Sequence, residues 1–142
     1  MKIRQDFVTN SSSTSFIFSM KKDLTLDNFL KAINQNKNSL LIKIIIDIFR
    51  AIESNIEDIR EYLEFSNDNE TLTDEMEHRL SYNFGAKTIK KVKELLAENR
   101  EVYIGFFSDE SFDNPSIESY LCCTSIIIST DDILFDASPT GY

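Results

Sequence analysis

LLIKIIIDIFRAIESNIEDIREYL, residues 40–63, decides how the rest of the chain must fold. Counting from Leu41, apolar side chains recur at Ile45, Ile48, Ile52, Ile56, Ile59 and Leu63, in steps of four, three, four, four, three and four. Steps of three and four keep side chains on one face of a 3.6-residue spiral. The spacing therefore predicts an amphipathic helix from Leu41 to Leu63, with Ser39 placed to cap it. Its start, LLIKIII, is apolar almost all round and is expected to be buried on most sides. The β-branched residues there would equally suit a buried strand over the first turn or two. The stripe has the look of a coiled-coil seam, yet about three heptads more often form the spine of a small domain's core.

A helix of this kind needs something to pack against. Upstream, Thr25 is an N-cap candidate, with Asp27 in the first turn and Phe29, Leu30 and Ile33 behind it, so a short helix is expected to end near Asn36. Downstream, SNDNET is a break. Thr73 then caps a third helix whose Asp74 and Glu75 complement the positive N-terminal dipole and whose Met76, Leu80 and Phe84 share a face. Gly85 sits where a left-handed residue would end that helix. AKTIKKVKELLAENR follows as a fourth helix, with Ile89, Val92 and Leu96 inward and Lys87, Lys90, Lys91 and Lys93 mostly outward.

The two ends of the chain read as strands. Lys2 to Val8 is weakly strand-like. SFIFSM alternates, with Phe16 and Phe18 on one face and Ile17 on the other. EVYIGFF is a strand, SDESFDN an acidic loop, and Asn114 followed by Pro115 opens a short helix through Ile117 and Leu121. SIIIS and ILFD, joined by TDD, form a hairpin. No repeat or linker divides the 142 residues, so one α+β domain is expected: a small mixed or antiparallel sheet of N-terminal and C-terminal strands, covered on one face by about four helices.

Composition narrows the function. Fifteen Lys and Arg against 24 Asp and Glu give a net charge of -9. That argues against direct nucleic-acid binding, which needs cations to displace phosphate counterions, and against an anionic membrane surface. It leaves an acidic face as one way to dock on a partner. The longest apolar run carries Lys43 and Asp47 and is too short to span a bilayer. Cys122 and Cys123, the only cysteines, are neighbours and are expected to be reduced. With no basic-then-apolar leader pattern at the start, a cytoplasmic protein is expected.

Little of the usual chemistry can be assembled. His78 stands alone, between Glu75 and Arg79 on a helix, and is read as a surface residue; no Cys or His pair has zinc spacing. The three glycines are too scattered for a phosphate loop. Asp109, Glu110 and Asp113 lack the calcium-loop pattern and read as a solvated acidic loop. No metal and no cofactor are expected.

What remains is the hydroxyl cluster TNSSSTS, residues 9–15, set between DFV and FIF. Thr9, Asn10, Ser11, Ser12, Ser13, Thr14 and Ser15 are the candidate binding residues. Three arrangements fit them. They can form a turn in which side chains bond the local backbone, with Phe7 and Phe16 as core anchors. They can form an anion cradle for phosphate or carboxylate. Or they can be a tag read by a partner or modified by phosphorylation. A hydroxyl nucleophile is the rival, but it needs a base, and only Asp6 is near in sequence.

The opening also resembles a known pattern. Ile3, Arg4, Phe7 to Ser13 and Ser15 to Ile17 fit the N-terminal signature IRxxFVTNSSSSSFI of a scattered group of small bacterial, archaeal and phage proteins; Thr14 replaces one serine and keeps the hydroxyl. The resemblance covers roughly a tenth of the chain. It implies a microbial or viral cytosolic protein and brings no activity or catalytic residue with it. The expectation is a non-catalytic module binding a protein partner through Thr9–Ser15 or an acidic face, for instance a phage or mobile-element inhibitor of a host factor. The alternatives are a hydroxyl-nucleophile enzyme and a phosphate or nucleotide sensor, both centred on Thr9–Ser15.

Overall fold

The computed structural model describes residues 13–67, 71–108, 117, 121–122 and 125–137. The Lys2–Val8 strand, Thr9 to Ser12, the acidic loop at 109–113, the Asn114–Pro115 helix start and Cys123 lie outside them.

Five antiparallel strands form one sheet in the order β2-β3-β1-β5-β4. They are β1 (Ser13–Met20), β2 (Ile56–Asp58), β3 (Tyr103–Ser108), β4 (Ile126–Ser129) and β5 (Ile133–Ala137). Among the described residues the helices with both ends defined are α1 (Leu26–Ala32), α2 (Ile42–Asn55), α3 (Ile59–Tyr62), α4 (Asp74–Ser81) and α5 (Ala86–Ala97). This is the α+β fold expected. SFIFSM is the middle strand, and the SIIIS–ILFD hairpin is β4–β5.

The stretch at 40–63 does not form one helix. It gives α2, a three-residue strand and α3. Ser54 and Asn55 are weak helix formers, and the Asn55 side chain turns back to donate to the Ala51 carbonyl at 2.6 Å. Ile56–Asp58 then pairs with Tyr103–Gly105 of β3. Asp58 starts α3 by accepting from the Arg60 backbone N–H at 2.7 Å. The step of three from Ile56 to Ile59 is common to a helix and to this break, so periodicity could not separate them.

The break carries the chain from one side of the sheet to the other. Ile45, Ile48, Ile52 and Ile56 pack in a core with Phe16, Phe18, Phe29, Phe49, Phe107 and Phe135. Ile59 and Leu63 join a second core with Ile17, Leu80, Val92, Ile104 and Leu134. Helices α1 and α2 therefore cover one face and α3, α4 and α5 the other, where a single covered face was expected. Strand β1 serves both cores by alternation, Phe16 and Phe18 to one and Ile17 to the other. Of the five isoleucines expected inside from Ile45 to Ile59, Ile52 and Ile59 are fully buried and the others are half-buried.

Three helix ends show how a chain so poor in glycine stops its helices. After α1, α3 and α5 the backbone turns left-handed at Asn34, Glu64 and Asn99, each with φ 59. The following amide reaches back across the last turn: Gln35 to Leu30, Phe65 to Arg60 and Arg100 to Leu95. Asn34 thus ends α1 at Ala32, short of Asn36. Gly85 has φ -77 and is the N-cap of α5, not a left-handed end for α4, because Tyr82 has already closed that helix. Thr25 and Thr73 cap α1 and α4 as read from the sequence. In α5 the third inward residue is Leu95, with Leu96 half-buried.

Candidate functional site

The hydroxyl cluster runs into β1, and its described end is built into the sheet. Ser13 pairs with Ser108, Thr14 with Phe107 and Ser15 with Phe106. Thr14 is 3% exposed, and its Oγ1 donates to the Cys122 carbonyl at 3.0 Å. That bond ties the start of β1 to the segment before β4. Ser15, on the opposite face, is half-buried. Two positions on, the Phe16 ring lies across Gly105 and stacks on Phe107 at 4.3 Å, which locks the strand in place. The cluster therefore begins as structure: Thr14 has its proton on a carbonyl oxygen, which supplies no base for a nucleophile.

The other candidate groups do not converge on this point. His78 is exposed, as expected, and its Nε2 sits 3.0 Å from the Tyr82 hydroxyl on the next turn of α4. It lies on the rim of an open groove of about 680 Å³ between α4 and α5, which the Lys93–Glu77 ion pair crosses at 3.1 Å. Cys122 is buried among the aromatic residues of the first core. Asp136 is a buried carboxylate whose Oδ2 accepts from Thr88 Oγ1 at 2.5 Å, fastening β5 to the first turn of α5. Among the described residues no group of three His, Cys, Asp or Glu could hold a metal ion. No helix among them is long and apolar enough to cross a membrane.

Among the described residues one ionisable group is shifted. Burial pushes the Tyr103 phenol up from 10.0 to about 12, and its hydrogen bond to Glu101, at 3.1 Å, adds to the effect. A phenol held neutral in this way is a hydrogen-bond donor to its own neighbour, with no acid–base work implied.

The feature that stands out was expected to be buried. The start of LLIKIII projects from the fold: Leu40 is 100% exposed, Leu41 61% and Ile44 51%. The sheet takes only Phe49, Ala51 and Ile52 of α2 fully inside, further along the helix. A helix turned to the sheet can bury one stripe, so a start that is apolar all round leaves the other side in solvent. That mismatch between a complete apolar circumference and a single supporting layer was the signal available in the sequence. Leu41 is the N-cap of α2 and Ile44 lies three positions on, in its first turn, while Leu40 stands in the turn before the helix, so three large apolar side chains are exposed within five residues.

No family model matches the chain, and no curated protein or solved structure matches it either.

Proposed function

We propose that this chain is a non-catalytic module that binds a macromolecular partner. The observation that carries the reading is the exposure of three large apolar side chains within five residues, Leu40, Leu41 and Ile44, beside two buried cores. Apolar residues scattered singly need no explanation, but three exposed together within five residues gain by being covered. The described hydroxyls support binding over catalysis, because Thr14 is committed to a backbone carbonyl. The serines of the opening segment remain a second recognition element in this proposal, in keeping with a surplus of hydroxyls over what one turn can use.

The test is affinity purification from the native host with three baits: wild type, Leu41→Asp, and Ser12→Ala combined with Ser13→Ala. Any protein retained by wild type is then purified and its direct binding measured by calorimetry against all three baits. Loss of direct binding in either variant, with the melting temperature held, supports the proposal. Equal recovery by all three baits defeats it.

A further inference from the structure

The sheet ends in two unlike edges. An edge strand presents a row of unpaired backbone groups, and proteins usually guard such a row with charge, proline or shortness. Strand β2 is guarded: it is three residues long, carries Glu57 and Asp58, and is joined directly to α2 and α3. Strand β4, at the other edge, reads IIIS and holds neither charge nor proline. Ile127 is 62% exposed, and Ile126 and Ile128 are half-buried against the first core.

The β4–β5 hairpin fixes which groups of β4 face outward. The Thr130 N–H donates to the Ile133 carbonyl at 2.9 Å, so these two residues are a hydrogen-bonded pair. Bonding alternates along an antiparallel ladder, so Ile128 and Ile126 also bond inward, to Phe135 and Ala137. The N–H and C=O of Ile127 and Ser129 therefore point away from the sheet. Among the described residues no backbone hydrogen bond beyond the ladder reaches either of them.

We infer that two copies of the chain pair antiparallel through β4 about a two-fold axis; this association is separate from the partner binding proposed above. The open groups of the edge are backbone groups, which an extended strand satisfies in full. Self-pairing also agrees with the side chains. The register that sets Ile127 against Ser129 of the second copy satisfies both outward residues. Ile128 then meets its own counterpart on the axis as a non-hydrogen-bonded pair, where side chains come closest and β-branched residues pack well. That pair lies on the face of the first core, so the first cores of the two copies meet there. The Asp131–Asp132 turns fall at opposite ends of the interface, so no carboxylate opposes another. Because β2 is guarded, the pairing closes at two copies. Four residues a side fall short of the area of a permanent dimer, so a weak equilibrium is expected. A net charge of -9 on each copy makes that equilibrium tighten as salt rises.

The test is sedimentation equilibrium of the full chain. It is expected to show monomer and dimer in exchange at concentrations below about 1 mM, with more dimer at higher salt. Ser129→Pro removes an outward N–H that the ladder with β5 does not use. It should weaken association at least tenfold while the melting temperature stays within a few degrees of wild type. Ile128→Pro removes an inward N–H and should melt early. Ile128→Cys should give a disulfide-linked dimer on mild oxidation, beyond anything wild type forms, because paired non-hydrogen-bonded positions suit disulfide geometry; Ile126→Cys, set away from its counterpart, should not. The proposal is overturned by a chain that stays monomeric to about 1 mM, or by oligomers that grow past the dimer. It is equally overturned if Ser129→Pro associates as wild type does or melts as early as Ile128→Pro, or if Ile126→Cys cross-links as readily as Ile128→Cys. A dimer that Leu41→Asp dissolves and Ser129→Pro does not would place the interface at Leu40, Leu41 and Ile44 and refute pairing through β4.

Discussion

Replacing Gly105 with Ala places a methyl group where the structure has no room for one. A Cβ built there lies 2.3 Å from Phe16 Cζ, 2.7 Å from Phe16 Cε1 and 2.6 Å from the Asn55 carbonyl oxygen. Carbon atoms in contact sit roughly 3.5–4.0 Å apart, so two separate groups must each retreat by about 1 Å. Neither is free to do so. Phe16 is fully buried, stacked on Phe107 at 4.3 Å and edge-on to Phe135 at 5.8 Å. The Asn55 carbonyl belongs to the last residue of α2, where the chain bends into β2. Overpacking a filled core costs about 1–3 kcal/mol, and obstruction from two sides puts this substitution near the top of that range. Alanine recovers roughly 0.4–1 kcal/mol by restricting the unfolded chain, leaving a net loss of about 2–2.6 kcal/mol. At about 2.1 cal/mol/K per residue, a chain of 142 residues unfolds with an entropy near 0.3 kcal/mol/K, so thermal melting should fall by roughly 7–9 °C. Adding Phe16→Leu removes the ring but leaves the carbonyl. The double variant should therefore lose less than the sum of the two single losses, by about 1 kcal/mol in a double-mutant cycle read by urea unfolding. A Gly105→Ala protein melting within 2 °C of wild type, or strict additivity with Phe16→Leu, would refute the argument that this glycine is required for the crossing at the sheet edge.

Ile52→Asp puts an unpaired carboxylate into a site with 0% exposure, and the variant should show no cooperative melting transition by circular dichroism; a melt within a few degrees of wild type would contradict the packing of α2. Thr14→Val removes one buried hydrogen bond and should cost about 1 kcal/mol in urea unfolding, well below the roughly 3–5 kcal/mol expected for Phe16→Ala. Losses of equal size from the two would show that the hydroxyl does more than tie β1 to Cys122. The Tyr103 phenol, held at about 12 by burial first and Glu101 second, stays protonated in the fold while an unfolded tyrosine ionises near 10. Its contribution to stability is thus complete below pH 10 and is lost as pH rises toward 12, and Tyr103→Phe should flatten that decline. Ultraviolet titration of wild type should show a phenolate step near pH 12 that the variant lacks; a step that persists would assign it to another tyrosine.

The fold was legible where sequence pattern and environment agree. Thr25 and Thr73 announce α1 and α4 because an N-cap is a local device that no distant contact has to complete. The alternation in SFIFSM revealed a strand with two apolar faces. A strand apolar on both sides calls for covering layers on both sides, a consequence that the expectation of a single covered face missed. The break at Asn55 was hidden because Ile56 and Ile59 keep helical spacing while facing different cores. Deciding it required knowing that β3 offers Gly105 as a partner for Ile56, which is a contact across 49 positions. The exposure of Leu40, Leu41 and Ile44 was missed for a related reason. Hydrophobicity predicts burial only if something is available to do the burying, and the fold fully buries α2 only at Phe49, Ala51 and Ile52.

The hydroxyls of β1 show how polar residues come to lie in the middle strand of a buried sheet. Thr14 and Ser19 are 3% and 0% exposed, one on each face, and neither is left without a partner. Thr14 donates to the carbonyl of Cys122 at 3.0 Å, and Ser19 Oγ donates to the carbonyl of Glu101 at 2.7 Å. Both acceptors lie outside the ladder, in the approaches to β4 and β3. Each hydroxyl therefore satisfies a carbonyl that strand pairing does not reach, and in doing so fixes where a connecting segment meets the sheet. An aliphatic residue at either position could fill the same volume but could not hold the segment. The two positions thus account for their hydroxyls by structure alone. Ser12 lies outside the described residues, and it is on Ser12 and Ser13, not on Thr14, that a test of recognition by the opening segment has to be made.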